Sequence, residues 1–145
     1  LHSFPTRRSS DLVAAGIAND GAVMTPYLVT DVRAPDLSVI SSTTPKVASQ
    51  AMSASNAKLL QQMMIGVVEN GTGTRAQIPG VVIGGKTGTA RTDASRNPYA
   101  WFVCWADDPS VAVAVFVQDA QIDATDIAGG RIAAPMARAI IQALR

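Results

Sequence analysis

The stretch that most constrains this chain runs from Gly80 to Ala90: Gly-Val-Val-Ile-Gly-Gly-Lys-Thr-Gly-Thr-Ala. Two chemistries fit it, and they exclude each other. Gly80, Gly85, Lys86 and Thr87 match the G-x-x-x-x-G-K-[ST] spacing of a phosphate-binding loop, in which backbone N–H groups and the lysine hold a nucleotide. That loop needs a buried strand before its first glycine and a helix starting at its lysine. Here Ala76-Gln77-Ile78-Pro79 precedes Gly80, the β-branched Val81-Val82-Ile83 falls inside the supposed loop, and Gly88-Thr89-Ala90 makes a poor helix start. The second chemistry puts Lys-Thr-Gly on a strand running from Val81 to Arg91. Lys86 then supplies a fixed cation and Thr87 a hydroxyl, while Gly84, Gly85 and Gly88 let another backbone or a ligand come close. The strand is the better reading, and no nucleotide is expected.

What surrounds the stretch narrows the function classes. A chain of 145 residues, 48% hydrophobic and 16% charged, is long enough for one core. A net charge of +1 gives no reason to expect nucleic acid. The only histidine is His2, so a histidine-based triad or His-rich metal site is not available, and neither metal nor cofactor is expected. Cys104 has no second cysteine to pair with, and between Val103 and Trp105 it reads as a buried strand residue. No run of about 18 apolar residues occurs that would span a bilayer.

In chain order, Leu1–Leu12 differ from the rest: Arg, Ser and Pro without a period of 2 or 3.6. They resemble the translated frame of a common sequencing adapter, and residues 1–12 are set apart as a non-native segment, leaving 13–145 as part of one domain. Val13–Asn19 reads as the end of a helix, closed by Asn19-Asp20-Gly21 with residues suited to positive φ. Ala22–Val29 is extended around Pro26, and Asp31–Ser49 is a surface hairpin or loop. Ser53 or Ser55 caps a helix whose Leu59, Leu60, Met63, Met64, Val67 and Val68 form one apolar stripe for the core. Thr72-Gly73-Thr74 follows as a flexible turn, and Thr92–Pro98 is a polar loop. Tyr99–Ala106 and Val111–Val117 are strands of a hairpin turning at Asp107–Ser110. Ala128–Leu144 is a closing helix with Ile132, Met136, Ile140 and Ile141 on one face. Trp101 is assigned to the core in preference to the site.

With these pieces in place, Lys86-Thr87-Gly88-Thr89-Ala90 resembles the third active-site motif of penicillin-binding protein transpeptidases and serine β-lactamases. Ala15–Gly21, Met24-Thr25-Pro26-Tyr27-Leu28-Val29, Met63–Gly73 and Ala100-Trp101-Phe102, in that order, are similar to the C-terminal part of a class B penicillin-binding protein over Val13–Arg145. The resemblance implies an α+β fold, an antiparallel sheet flanked by helices, here incomplete. It implies a peptidoglycan D,D-transpeptidase acting through an acyl-serine intermediate on peptidoglycan stem peptides and binding β-lactams. It also implies other cell-wall synthesis proteins as partners, and a place on the extracytoplasmic face of the plasma membrane, anchored by a segment outside this sequence. A penicillin-recognising sensor, a D,D-carboxypeptidase and a β-lactamase are the alternatives.

By the same resemblance Lys86, Thr87, Gly88 and Thr89 bind substrate. Lys86 and Thr87 anchor its carboxylate, Gly88 gives it room along the strand, and Thr89 supplies a catalytic oxyanion N–H with its hydroxyl toward the carboxylate. The family's nucleophile motif S-x-x-K and its S-x-N motif have no match in the right order. Ser55–Lys58 spells the first but sits beside the third motif at a helix start, and Ser95-Arg96-Asn97 spells the second downstream of it. The chain as given is therefore expected to be inactive.

Overall fold

The structure is a computed structural model that describes residues 7–91, 97–118, 120 and 122–145. Its centre is a three-stranded antiparallel sheet in the order β5 (Ile83–Ala90), β6 (Tyr99–Asp107), β7 (Ser110–Val117). β-Branched and aromatic residues dominate β6 and β7, as a sheet covered on both faces requires. The register sets Thr87 opposite Phe102 and Gly84 opposite Trp105. Alternation then sends Phe102, Cys104, Val113 and Val115 to one face and Trp101, Val103 and Trp105 to the other.

The first face carries the main core. Phe102 and Cys104 are fully buried there, against Val68 of α2 (Ala54–Glu69) and Ala133, Ala134, Ala137 and Ile141 at and within α3 (Ala134–Ala143). Burial pushes the Cys104 thiol up to about 12, as expected of an inert strand cysteine. On the second face Trp105 packs with Ile17 of α1 (Arg7–Ala18) and Met64 of α2. Helices thus flank the sheet on both sides, with α2 contributing to both clusters.

The helices use alanine more than the apolar pattern suggests. In α2 the buried residues are Ala57, Met64 and Val68, whereas Leu59, Leu60 and Met63 are exposed, which corrects the expected stripe. In α3 the core side is Ala134, Ala137 and Ile141, and Met136 and Ile140 face out. A small side chain brings helix and sheet backbones close, so a pattern traced on the large residues is rotated from the true one. Ser53 caps α2 by accepting from the Asn56 N–H at 3.3 Å, and Ser55 pairs with Ser53 at 3.0 Å. Ser55 is therefore part of the helix start.

α1 ends as anticipated, with Asp20 and Gly21 at positive φ. It begins earlier, however: Arg7–Leu12, set apart in the sequence, are helical and Leu12 is half-buried. Once Ala14 and Ile17 are packed, extending a nucleated helix backward costs little. Residues 1–6 lie outside the described residues. β1 (Ala22–Met24) pairs with β4 (Val47–Gln50), and between them β2 (Asp31–Arg33) and β3 (Val39–Ser42) form the expected surface hairpin. Leu37, Val39 and Ile40 stand exposed on it. Among the described residues no helix is long and apolar enough to cross a membrane.

Candidate active site

The Gly80–Ala90 stretch resolves in favour of the strand. Ile78-Pro79-Gly80-Val81 is a tight turn closed by Val81 N–H to Ile78 carbonyl at 3.1 Å, with Gly80 at φ +78°. Proline second and a positive-φ glycine third are the chemistry of a type II turn. Lys86 and Thr87 then fall inside β5, where no helix N-terminus exists to hold phosphate.

The glycines of β5 have different causes. A Cβ at Gly84 would come within 2.4 Å of the Trp105 indole, and one at Gly85 within 2.5 Å of the Phe102 ring. Consecutive glycines are thus covered by two aromatic rings on opposite faces. They admit the protein's own core side chains, where another backbone or a ligand was expected to come close. Among the described residues the buried Trp105 Nε1 donor has no hydrogen-bond partner. At Gly88 a Cβ would meet the Trp101 side chain, 3.3 Å from its Cβ, and the Gly129 backbone packs against the Gly88 backbone. A Cβ at Gly129 would fall 2.7 Å from the Gly88 carbonyl oxygen and 2.1 Å from that of Trp101.

Gly129 and Gly130 open a single π-helical turn (Gly129–Ala133) ahead of α3. A Cβ at Gly130 would lie 2.0 Å from the Thr72 carbonyl oxygen. The turn is wedged between the end of α2 and β5 and forms the floor of a cleft of about 380 Å³. Thr72, Thr74, Arg75, Thr87, Thr89 and Arg131 line it above the Ala128–Gly130 backbone. The Thr72 and Thr87 hydroxyls are 2.7 Å apart, and the Gly129 N–H donates to Thr89 Oγ1 at 3.4 Å. Arg75 Nη1 donates to the Arg131 carbonyl at 3.2 Å, and Arg131 pairs with Asp126. Four hydroxyls and two guanidiniums without a carboxylate in the lining suit an anion. A second groove of about 430 Å³, along Ile78–Ile83, is lined mostly by aliphatic side chains and has no such set of donors.

Of the residues singled out in the sequence, Thr87 and Thr89 share this cleft and Lys86 does not. Lys86 alternates to the other side of β5, where it is exposed, and its Nζ donates to the Thr87 carbonyl at 2.7 Å. Thr72, Thr74, Arg75 and Arg131 were not foreseen as site residues. Thr72-Gly73-Thr74 read as a flexible turn, yet Val67 carbonyl accepts from both Gly71 N–H and Gly73 N–H, and Thr72 is pinned to Thr87. Trp101 is half-buried and stacks on Phe116 with ring centroids 4.3 Å apart, a surface aromatic pair rather than core. The polar loop after β5 lies outside the described residues at 92–96; Asn97 donates to the Ala120 carbonyl at 3.0 Å.

The penicillin binding protein transpeptidase domain, as a sequence family, matches residues 13–142. The chain belongs to that family. It is 46% identical over 136 residues to the peptidoglycan D,D-transpeptidase PbpA of Mycolicibacterium smegmatis, covering 90% of this chain and 27% of the relative. It is 42% identical to PbpA of Mycobacterium tuberculosis over the same shares. Among solved structures, the ceftriaxone acyl-enzyme complex of penicillin-binding protein A from M. tuberculosis superposes with a TM-score of 0.85 at 38% identity, covering 95% of this chain and 32% of that one. This transpeptidase-family chain therefore spans about a quarter of the length of the curated relatives it matches. The antiparallel sheet flanked by helices is the fold of that neighbour.

Proposed function

We propose that this chain is the K-T-G portion of a peptidoglycan D,D-transpeptidase, and that its threonine-lined cleft seats the terminal carboxylate of the stem peptide or of a β-lactam. The observation that carries the reading is the convergence of Thr87 and Thr89 on one anion-suited cleft at the open edge of β5. A hydroxyl donating to a carboxylate makes a charge-assisted bond, and two on one strand at i and i+2 can grip both oxygens. Lys86, on the other side of the strand, holds positive charge beside the site and tunes a serine that the upstream part of the domain supplies. Gly88 keeps the strand slim where the substrate would lie along it as an added strand. The Thr89 N–H serves as oxyanion donor.

The serine attacks the penultimate D-Ala carbonyl, the terminal D-Ala leaves with the proton returned by the serine's base, and an amine of a neighbouring strand then takes the acyl group. Peptidoglycan stem peptides are the substrate, other cell-wall synthesis proteins the partners, and the extracytoplasmic face of the membrane the place of action. The family match begins at residue 13, and residues 1–12 are taken as foreign to the domain, with Arg7–Leu12 continuing α1. Sequencing the genomic locus across residue 13 should replace them with a continuing helix and the S-x-x-K and S-x-N motifs; the same twelve codons in genomic DNA would refute that boundary.

Mass spectrometry after incubation with benzylpenicillin tests the function. The isolated chain should stay unmodified, and the protein joined to its upstream half should gain one covalent adduct. An adduct on the isolated chain, at Ser55 for example, would overturn the assignment of the nucleophile to the upstream half.

A further inference from the structure

The hydroxyl pair in the cleft contains more information than a contact. Thr72 Oγ1 and Thr87 Oγ1 lie 2.7 Å apart, so one of their two protons is spent in the bond between them and the other is free to point elsewhere. Either direction satisfies the pair in isolation. An anion in the cleft removes the ambiguity, because it only accepts: the threonine facing it must give up its proton, and the other must fill the vacated role. The neighbouring Thr89 is already arranged this way. Its Oγ1 accepts from the Gly129 N–H at 3.4 Å, which leaves its own proton for the cleft.

Thr72 sits in a frame built to keep it still. Its carbonyl is against Gly130, where even a Cβ would intrude to 2.0 Å, and the residues on either side of it both donate to the Val67 carbonyl, Gly71 at 3.2 Å and Gly73 at 2.9 Å. Behind Gly73, a Cβ would be 3.2 Å from the buried Phe102 ring. The end of α2 is thus tied to the same core ring that covers β5.

We propose that Thr72 is a positioning residue: it donates to Thr87 Oγ1 and so aims the Thr87 proton at the ligand's carboxylate. The chain Thr72 to Thr87 to carboxylate polarises in one direction, each bond strengthening the next. The inference rests on the reading of the cleft as the carboxylate seat, and deepens it.

The test uses the full-length protein that contains this chain, as wild type, Thr72→Val, Thr72→Ser, Thr87→Val and the Val/Val double variant. Second-order acylation constants are measured with benzylpenicillin and with its methyl ester, which has no anion. Thr72→Val should slow benzylpenicillin about tenfold while changing the ester less than about twofold. Thr72→Ser should recover the wild-type constant to within about twofold, and the double variant should be no slower than Thr87→Val alone. The ratio of the two ligands in one sample is insensitive to any misfolded fraction. Equal losses on both ligands, losses that multiply in the double variant, or a wild-type constant in Thr72→Val would each overturn the positioning role. If Thr87→Val retains the full benzylpenicillin constant, the carboxylate seat itself is wrong and the inference falls with it.

Discussion

β5 is one strand with two unlike halves. From Ile83 to Gly85 it is buried and its glycines lie beneath Trp105 and Phe102; from Lys86 to Ala90 it is open along its edge and carries the side chains of the cleft. The first half anchors the strand by packing, and the second presents chemistry on what the first holds rigid. A site that must place two hydroxyls to within a fraction of an ångström gains from this arrangement, since its own residues make few stabilising contacts. The contrast predicts that substitutions in or over the first half change stability, and those in the second change reactivity.

The largest effect should follow Phe102→Ala, which empties the space over Gly85 and beside Gly73. It should cost about 4 kcal/mol in urea unfolding of the full-length protein, and a loss below about 1 kcal/mol would show that the first half is not the anchor. Lys86→Ala should slow acylation by benzylpenicillin about 100-fold, comparable to removing one charge-stabilising donor from an active site. Its melting temperature should match wild type. A marked drop in melting temperature would break the division between the halves. Gly84→Ala drives a methyl into the Trp105 indole and should destabilise by about 2 kcal/mol, read from the same unfolding curves. Ile40→Ser, on the exposed β2–β3 hairpin, gives the baseline: a change within about 0.5 kcal/mol and unaltered acylation.

The strand, the hairpin of β6 and β7 and the close of α1 were legible because each depends on local chemistry: β-branched runs and an Asn-Asp-Gly end. The faces of α2 and α3 were not, because Ala57, Ala134 and Ala137 bury fully while contributing little to an apolar pattern. At the site, Lys86, Thr87, Gly88 and Thr89 came from the motif. The cleft's other residues lie up to 45 positions from that motif (Lys86 to Arg131) and meet it only through folding, Thr72 across the end of α2 and Arg131 across the π-helical turn. Gly129-Gly130 was the one available signal, since a glycine pair before a helix marks a backbone that must come close to something. What it approaches could not be read without the register of β5 and β6.

The floor beneath the threonines is made of main chain meeting main chain, Gly130 on Thr72 and Gly129 on Gly88 and Trp101. No rotamer change can relieve an added atom there, because carbonyl oxygens, unlike the tips of long side chains, have nowhere to swing. Variation at this cleft is therefore channelled. Its walls can be exchanged one hydroxyl or guanidinium at a time, altering the proposed carboxylate seat, while its depth is fixed by two positions that accept no side chain at all. On the proposed reading, a lineage adapting this cleft to a new ligand must retune it from the rim.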